Sequence, residues 1–370
     1  MKNILFILGA GASKPFGFPL GSELIMNMIK GIEENSYRDI YETFRSYHCE
    51  EKIHYDFLQY PYKALFSELQ CRRARQLVNQ YVEKHGEQIN NLDYHIAFAD
   101  LLNSKTHRSI DYVLNENPSY TFIGRMYIAL EILRLYVWPQ KTEFDNIFAN
   151  NMIVPDCKRY QKLSPCYEEN WYIYLAEFIK NMGQNVDALN TIYDKNPIKF
   201  ITFNYDMSLE LYLEHCFLGE IYSKFDVGRI TSNIFHVYGK ADISSHKNTY
   251  PSNDTNYLKL VFEQAEKISL LRTSEQTIDV SIQDNVRKCV TEADVICVLG
   301  FAFDEMNREA IGLDIAMGNP DKKTYVLNYD NNEYITWVIE NLNEHKNINV
   351  KANGIKNAFV SGFISPRIAL

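Results

Sequence analysis

The chain lacks the sequence marks of a secreted, membrane-spanning or zinc-stapled protein. Its 7 cysteines stand at 49, 71, 157, 166, 216, 289 and 297, an odd number at wide spacing with no C-x-x-C pair. That pattern argues against a disulfide framework and against a structural zinc, so no zinc is expected. A reducing cytoplasm suits such cysteine usage best. No apolar run approaches the roughly 18 residues of a spanning helix, so no membrane partner is expected. Excess positive charge is missing too. The formal net charge is -9, which gives no overall pull toward nucleic acid or acidic lipid, and direct nucleic-acid binding is not expected. The one basic cluster, Cys71-Arg72-Arg73-Ala74-Arg75, reads as a solvated helix face. Internal repeats, low-complexity segments and flexible linkers are lacking as well.

What is present is ordinary globular material, 370 residues with 46% hydrophobic and 23% charged, enough for one large domain or two. The opening stretch, MKNILFILGAGASKPFGFPLG, has two readings. A lysine, an apolar run and the small residues Ala10-Gly11-Ala12 resemble a secretory signal. The apolar core Ile4 to Leu8 is only five residues long, however, and a signal core needs roughly 7 to 15. The favoured reading is a buried first strand running into a glycine-rich loop.

Two textures follow. From about residue 26 to 190 glycine is scarce and apolar residues recur at three and four, as in Ile128, Ile132 and Tyr136. This predicts a helical insertion, punctuated by Pro118, Pro139, Pro155 and Pro165. After Pro197 short apolar runs return: IKFITFN, NIFHVYG, DVICVLG and KTYVLN. Strands apolar on both faces belong in a parallel sheet covered by helices. The crossover helices are expected in the segment before DVICVLG and in EMNREAIGLDIAM after it. The prediction is therefore an α/β protein, a Rossmann-like doubly wound parallel sheet forming a single domain over 1–370. Its sheet core covers 1–25 and 195–350, and the large helical insertion interrupts it once.

At the end of the first strand, Gly9, Ala10, Gly11, Ala12 and Ser13 place bare backbone amides where a pyrophosphate can be cradled. The dinucleotide pattern G-x-G-x-x-G fails because Lys14 takes the third glycine's place, and there is no G-K-[ST]. A tight turn without ligand is the plain alternative. Other strand ends carry Asn204, Tyr205 and Asp206, then His236 shortly before Gly239, then Gly300, then Asn328. Asn204 and Asp206 would also serve as caps of the following helix, and His236 as a satisfied core histidine.

Taken in order, these motifs resemble the sirtuin fold family: a GAG-x-S loop, then T-x-N-x-D in Thr202-Phe203-Asn204-Tyr205-Asp206, the histidine before a glycine, the late glycine at a strand end, and the final asparagine. The two C-x-x-C pairs of deacetylase sirtuins are missing. Pro19 is followed by Leu20-Gly21-Ser22 rather than D-F-R. What remains is similar to the sirtuin-like NADases of bacterial anti-phage defence, which carry N-Y-D and a large helical insertion, often with an S-I-D motif. Here Ser109-Ile110-Asp111 fits, although Ser109 alone would be an ordinary N-cap.

The resemblance implies hydrolysis of the nicotinamide–ribose bond of NAD+ to nicotinamide and ADP-ribose, with NAD+ as substrate and no further cofactor. It implies that Asn204 orients the ribose or the attacking water, that Asp206 bonds the carboxamide of the leaving group, and that His236 is the general base. It gives Gly9, Ala10, Gly11, Ala12 and Ser13 the pyrophosphate and Asn328 the adenosine ribose, with Gly300 and Asp111 completing the NAD+ site. It further implies an NAD+-depleting effector of abortive infection, a homo-oligomer, and a co-encoded partner such as a HerA-like ATPase or another defence protein. The competing class is a non-catalytic module that binds NAD+ or ADP-ribose and signals occupancy. A deacylase, an ADP-ribosyltransferase and a nicotinamide oxidoreductase fit less well.

Overall fold

The computed structural model describes residues 2–35, 61–70, 74–86, 89–105, 109–136, 170–183, 185–195, 198–217, 225–243, 254–269 and 280–369. Residues 71–73 of the basic cluster, Pro139, Pro155, Pro165 and Pro197 lie outside these.

The chain divides into two compact units. The first holds residues 1–18, 157–238 and 277–370, and the second holds 19–156 and 239–276. These borders differ from the 26–190 insertion. Helices Tyr172–Lys180 and Val186–Lys195 go with the sheet, and helix Asp254–Lys267 goes with the helical unit. The cause lies in side chains rather than in texture. Phe178 meets Phe6 of the first strand edge-on at 5.9 Å, so its helix covers the sheet.

The sheet is six-stranded and wholly parallel: β1 Ile4–Leu8, β2 Lys199–Thr202, β3 Ile234–His236, β4 Val295–Leu299, β5 Lys323–Leu327 and β6 Ile348–Lys351. Its order is β3-β2-β1-β4-β5-β6, the doubly wound arrangement expected. β1 and β4 are buried at every residue, as interior strands covered on both faces must be. Phe6 and Phe200 stack at 5.3 Å across the β1–β2 pair. β6 escaped the reading of apolar runs. Its burial falls from Ile348 to exposed Asn349 and Val350, as suits an edge strand. The segment EMNREAIGLDIAM forms two helices rather than one, Glu305–Ile311 and Leu313–Met317. Gly312 ends the first in the left-handed region at φ 70, a conformation glycine adopts without strain.

Register sets the level of everything above the sheet. Leu8 pairs with Thr202 and with Leu299, and Thr202 pairs with His236. The loops after β1, β2, β3 and β4 therefore leave the sheet side by side. The order reverses at β1, whose neighbours are β2 and β4. Open α/β sheets bind ligands beside such a reversal, at the carboxyl ends of the strands.

The second unit is helical. Its central helix, Thr121–Leu133, is buried at every residue from Phe122 to Leu133. Beside it His95 is 1% exposed. Its Nε2 donates to the Ile89 carbonyl at 2.7 Å, and its Nδ1 accepts from the Tyr127 hydroxyl at 2.6 Å. Those bonds fit a neutral ring, and burial pushes its pKa from 6.5 down to about 4. The unfolded chain takes up this proton near pH 6.5 and the folded chain does not, so stability falls as pH drops from 6.5 to 4. The loss should reach about 3 kcal/mol. Urea unfolding across this range should show it, and His95→Gln should flatten that part of the profile.

Candidate functional site

The glycine loop is built by close approach. Gly9 N–H donates to the Leu299 carbonyl at 3.1 Å, and Gly11 N–H donates to the Gly300 carbonyl at 3.0 Å. A Cβ on Gly9 would lie 2.4 Å from the Gly300 carbonyl oxygen. A Cβ on Gly300 would lie 2.2 Å from the Ala12 nitrogen, and Gly300 itself has φ +60. The three glycines let the loops after β1 and β4 touch backbone to backbone at the reversal point. Gly9, Gly11 and Ala12 thereby spend their amides on protein carbonyls, Ala12 on Gly9 at 2.9 Å. The loop coils at once into a short helical turn, Ala10–Ser13, and a 3-10 turn, Lys14–Phe16.

The segment Trp171-Tyr172 clamps the loop. Trp171 Nε1 donates to the Ala12 carbonyl at 2.8 Å. The Tyr172 ring stacks on Phe16 at 3.9 Å between centroids. Neither residue was legible as part of a site, because both sit in a helical stretch with the texture of the insertion.

Asn204 joins the loop to the neighbouring strand. It is 8% exposed. Its Nδ2 hydrogens go to the Gly9 carbonyl at 3.1 Å and to Ser13 Oγ at 2.8 Å. Its Oδ1 accepts nothing among the described residues. The capping role does not apply to Asn204. It applies in part to Asp206, whose Oδ1 accepts from Ser208 N at 3.0 Å and from the Ser208 hydroxyl. Tyr172 stands behind this pair, its hydroxyl 2.8 Å from Ser208 Oγ. With Ser208 donating to Asp206, Tyr172 must be the donor to Ser208. Burial raises the Asp206 pKa above the usual carboxylate value, against the lowering effect of hydrogen bonds from Ser208 and Ser13.

His236 ends β3 and is buried. Its Nδ1 lies 2.9 Å from the Asn204 carbonyl oxygen, and its Nε2 lies 2.7 Å from Glu210 Oε1. Glu210 is 3% exposed and was missed by the sequence reading. Its only signal is the spacing Asp206, Ser208, Glu210, with the glutamate in the first turn of helix Ser208–Cys216, where the helix dipole favours an acid.

Two expected residues stand differently. Asn328 is buried, but its side chain is committed locally. Nδ2 donates to the Asn332 carbonyl and to Thr336 Oγ1, both at 3.1 Å, and Oδ1 accepts from Asn332 N at 2.9 Å. The residue shapes the turn after β5. Asp111 belongs to the helical unit, buried in the first turn of Ile110–Glu116, where Ser109 accepts from Tyr112 N at 3.2 Å as an N-cap. Among the described residues no cluster of three or more His, Cys, Asp or Glu is arranged to hold a metal, and no helix is long and apolar enough to cross a membrane.

Fold and site together define a doubly wound α/β protein with a polar constellation at its reversal point. No protein-family model matches the chain, and no curated protein matches it significantly.

The glycine contact carries a direct test. Gly300→Ala places a side chain in the left-handed region and against the Ala12 nitrogen. It should cost at least about 2 kcal/mol of stability, read as a lowered denaturant midpoint. Gly312→Ala also strains φ but meets no atom within 4 Å, so it should cost less, about 1 kcal/mol.

Proposed function

We propose that the chain is an NAD+ hydrolase. The observation that carries this reading is the bonding of Asn204 to Gly9 and Ser13. It fixes one polar side chain against the glycine loop and leaves its Oδ1 as an acceptor. In this reading the pyrophosphate lies against the loop without the amides of Gly9, Gly11 and Ala12, which are not bare as expected but taken by protein carbonyls, and Asn204 Oδ1 accepts a hydrogen from the nicotinamide ribose or from the attacking water. Asp206 accepts from the carboxamide of the leaving group. Water attacks the ribosyl carbon as its bond to the nicotinamide nitrogen breaks. Nicotinamide departs neutral, and one proton is released with ADP-ribose. The transition state resembles an oxocarbenium ion, so fixed dipoles and orientation supply most of the help a protein can give. Asp111 belongs to this reading as an NAD+-site residue by resemblance alone, and so do the homo-oligomer, the defence role and a HerA-like or other co-encoded partner.

A second reading, a non-catalytic NAD+ or ADP-ribose-binding module, draws support from the engagement of both His236 ring nitrogens.

Purified chain incubated with NAD+ should release nicotinamide and ADP-ribose, measured by chromatography. Asn204→Ala should lower turnover by on the order of 100-fold through lost orientation, and His236→Ala by a similar factor because the Asn204 carbonyl loses its partner. NAD+ bound but intact, with and without a co-encoded partner, would favour the binding module. Asp206→Asn separates function from stability. Burial disfavours the charged carboxylate, and the amide keeps an acceptor for Ser208. Its melting temperature should therefore hold or rise while turnover falls, as expected of a site kept at a cost to stability.

A further inference from the structure

We propose that Glu210 is a positioning residue that sets His236 and, through it, Asn204. The claim about turnover rests on the hydrolase reading; the claim about position does not.

A carbonyl oxygen only accepts, so the His236 nitrogen facing the Asn204 carbonyl at 2.9 Å must be an N–H. The other nitrogen faces a Glu210 oxygen at 2.7 Å, a distance that requires a hydrogen between them. Both ring positions are then occupied. No lone pair remains on the imidazole to receive a proton from water while these contacts hold. The imidazole acts instead as a strut. Glu210 fixes one end, and the other end holds the peptide carbonyl of the residue whose side chain reaches Gly9 and Ser13. The strut is rigid because both members are buried, Glu210 at 3% and His236 at 8% exposure. It is anchored on both sides. His236 is in the sheet, paired with Thr202, and Glu210 is in the first turn of the helix that follows Asp206. The order Glu210, His236, Asn204 follows the logic of a carboxylate that orients an imidazole. Here the imidazole orients a backbone group rather than activating a nucleophile.

The chemistry separates two substitutions. In Glu210→Gln the amide N–H can donate to Nε2 of a neutral ring that keeps its Nδ1–H on the Asn204 carbonyl, so the strut survives. In Glu210→Leu nothing bonds Nε2 and the ring is released.

The experiment is NMR on the full chain, followed by NAD+ turnover on the same samples. The expected wild-type signature is an exchange-protected ring N–H proton downfield of the amide envelope, identified by its absence in His236→Gln. Glu210→Leu should shift the Asn204 side-chain amide resonances, and Glu210→Gln should leave them near their wild-type positions. Turnover should fall about 10- to 100-fold in Glu210→Leu with KM within about twofold, and Glu210→Gln should restore most of it. Unmoved Asn204 resonances in a folded Glu210→Leu overturn the proposal, as does full turnover in that variant. Should Glu210→Leu not fold, the proton between Nε2 and residue 210 decides instead: its resonance unchanged in Glu210→Gln overturns the proposal, and its loss or displacement, with the Nδ1–H resonance kept, supports it. Shifted Asn204 resonances in proteins that never cleave NAD+ uphold the strut and remove the hydrolase reading alone.

Discussion

The site depends on one backbone contact, the touch between the loop leaving β1 and the loop leaving β4. Gly9 and Gly11 donate to the carbonyls of Leu299 and Gly300, at separations that no side chain on any of the three glycines would permit. This contact fixes where the first loop turns. It thereby presents the Gly9 carbonyl and the Ser13 hydroxyl to Asn204, on the neighbouring strand's loop. The polar residues are thus arranged around a frame that backbone hydrogen bonds set.

Around the frame the buried polar groups form a connected set. Tyr172 donates to Ser208, Ser208 donates to Asp206, Asn204 donates to Gly9 and Ser13, and His236 spans Asn204 and Glu210. Buried polar groups are tolerable when they satisfy one another. Burial weighs on Asp206, whose pKa is raised in spite of its donors, and on Tyr172, whose hydroxyl it pushes up as well. A carboxyl group kept under such conditions at a sheet's carboxyl edge is a common mark of a functional position. Structural networks shift carboxylates too, so the mark gains its force from Asn204 beside it.

Much of this was legible in the letters. β1, β2, β4 and β5 announce themselves because strands covered on both faces must be apolar throughout, and the glycines and Asn204 sit where those runs stop. β6 was not legible, since an edge strand exposes Asn349 and Val350 and breaks the pattern. Trp171 and Tyr172 were hidden for another reason. Their helix has the same three-and-four periodicity whether it covers a sheet or joins a bundle, and only Phe178 against Phe6 decides between them. Glu210 was hidden because an acid in the first turn of a helix has an ordinary explanation. Its meaning comes from His236, on a strand formed later in the chain. Asn328 shows the reverse case. A conspicuous letter at a strand end proves committed to its own turn.

The strand order also bears on the timing of synthesis. β1 is made first, yet both of its partners come late, β2 at Lys199–Thr202 and β4 at Val295–Leu299. Nearly three hundred residues separate Gly9 from the carbonyl that fixes it. At translation rates of about 5–20 residues per second, the glycine loop waits on the order of half a minute for its other half. A fragment released before β4 has no Leu299 or Gly300 against which the loop can set. The site therefore sets only after β4 has been made, which ties its formation to the order of synthesis rather than to the folding of its first loop.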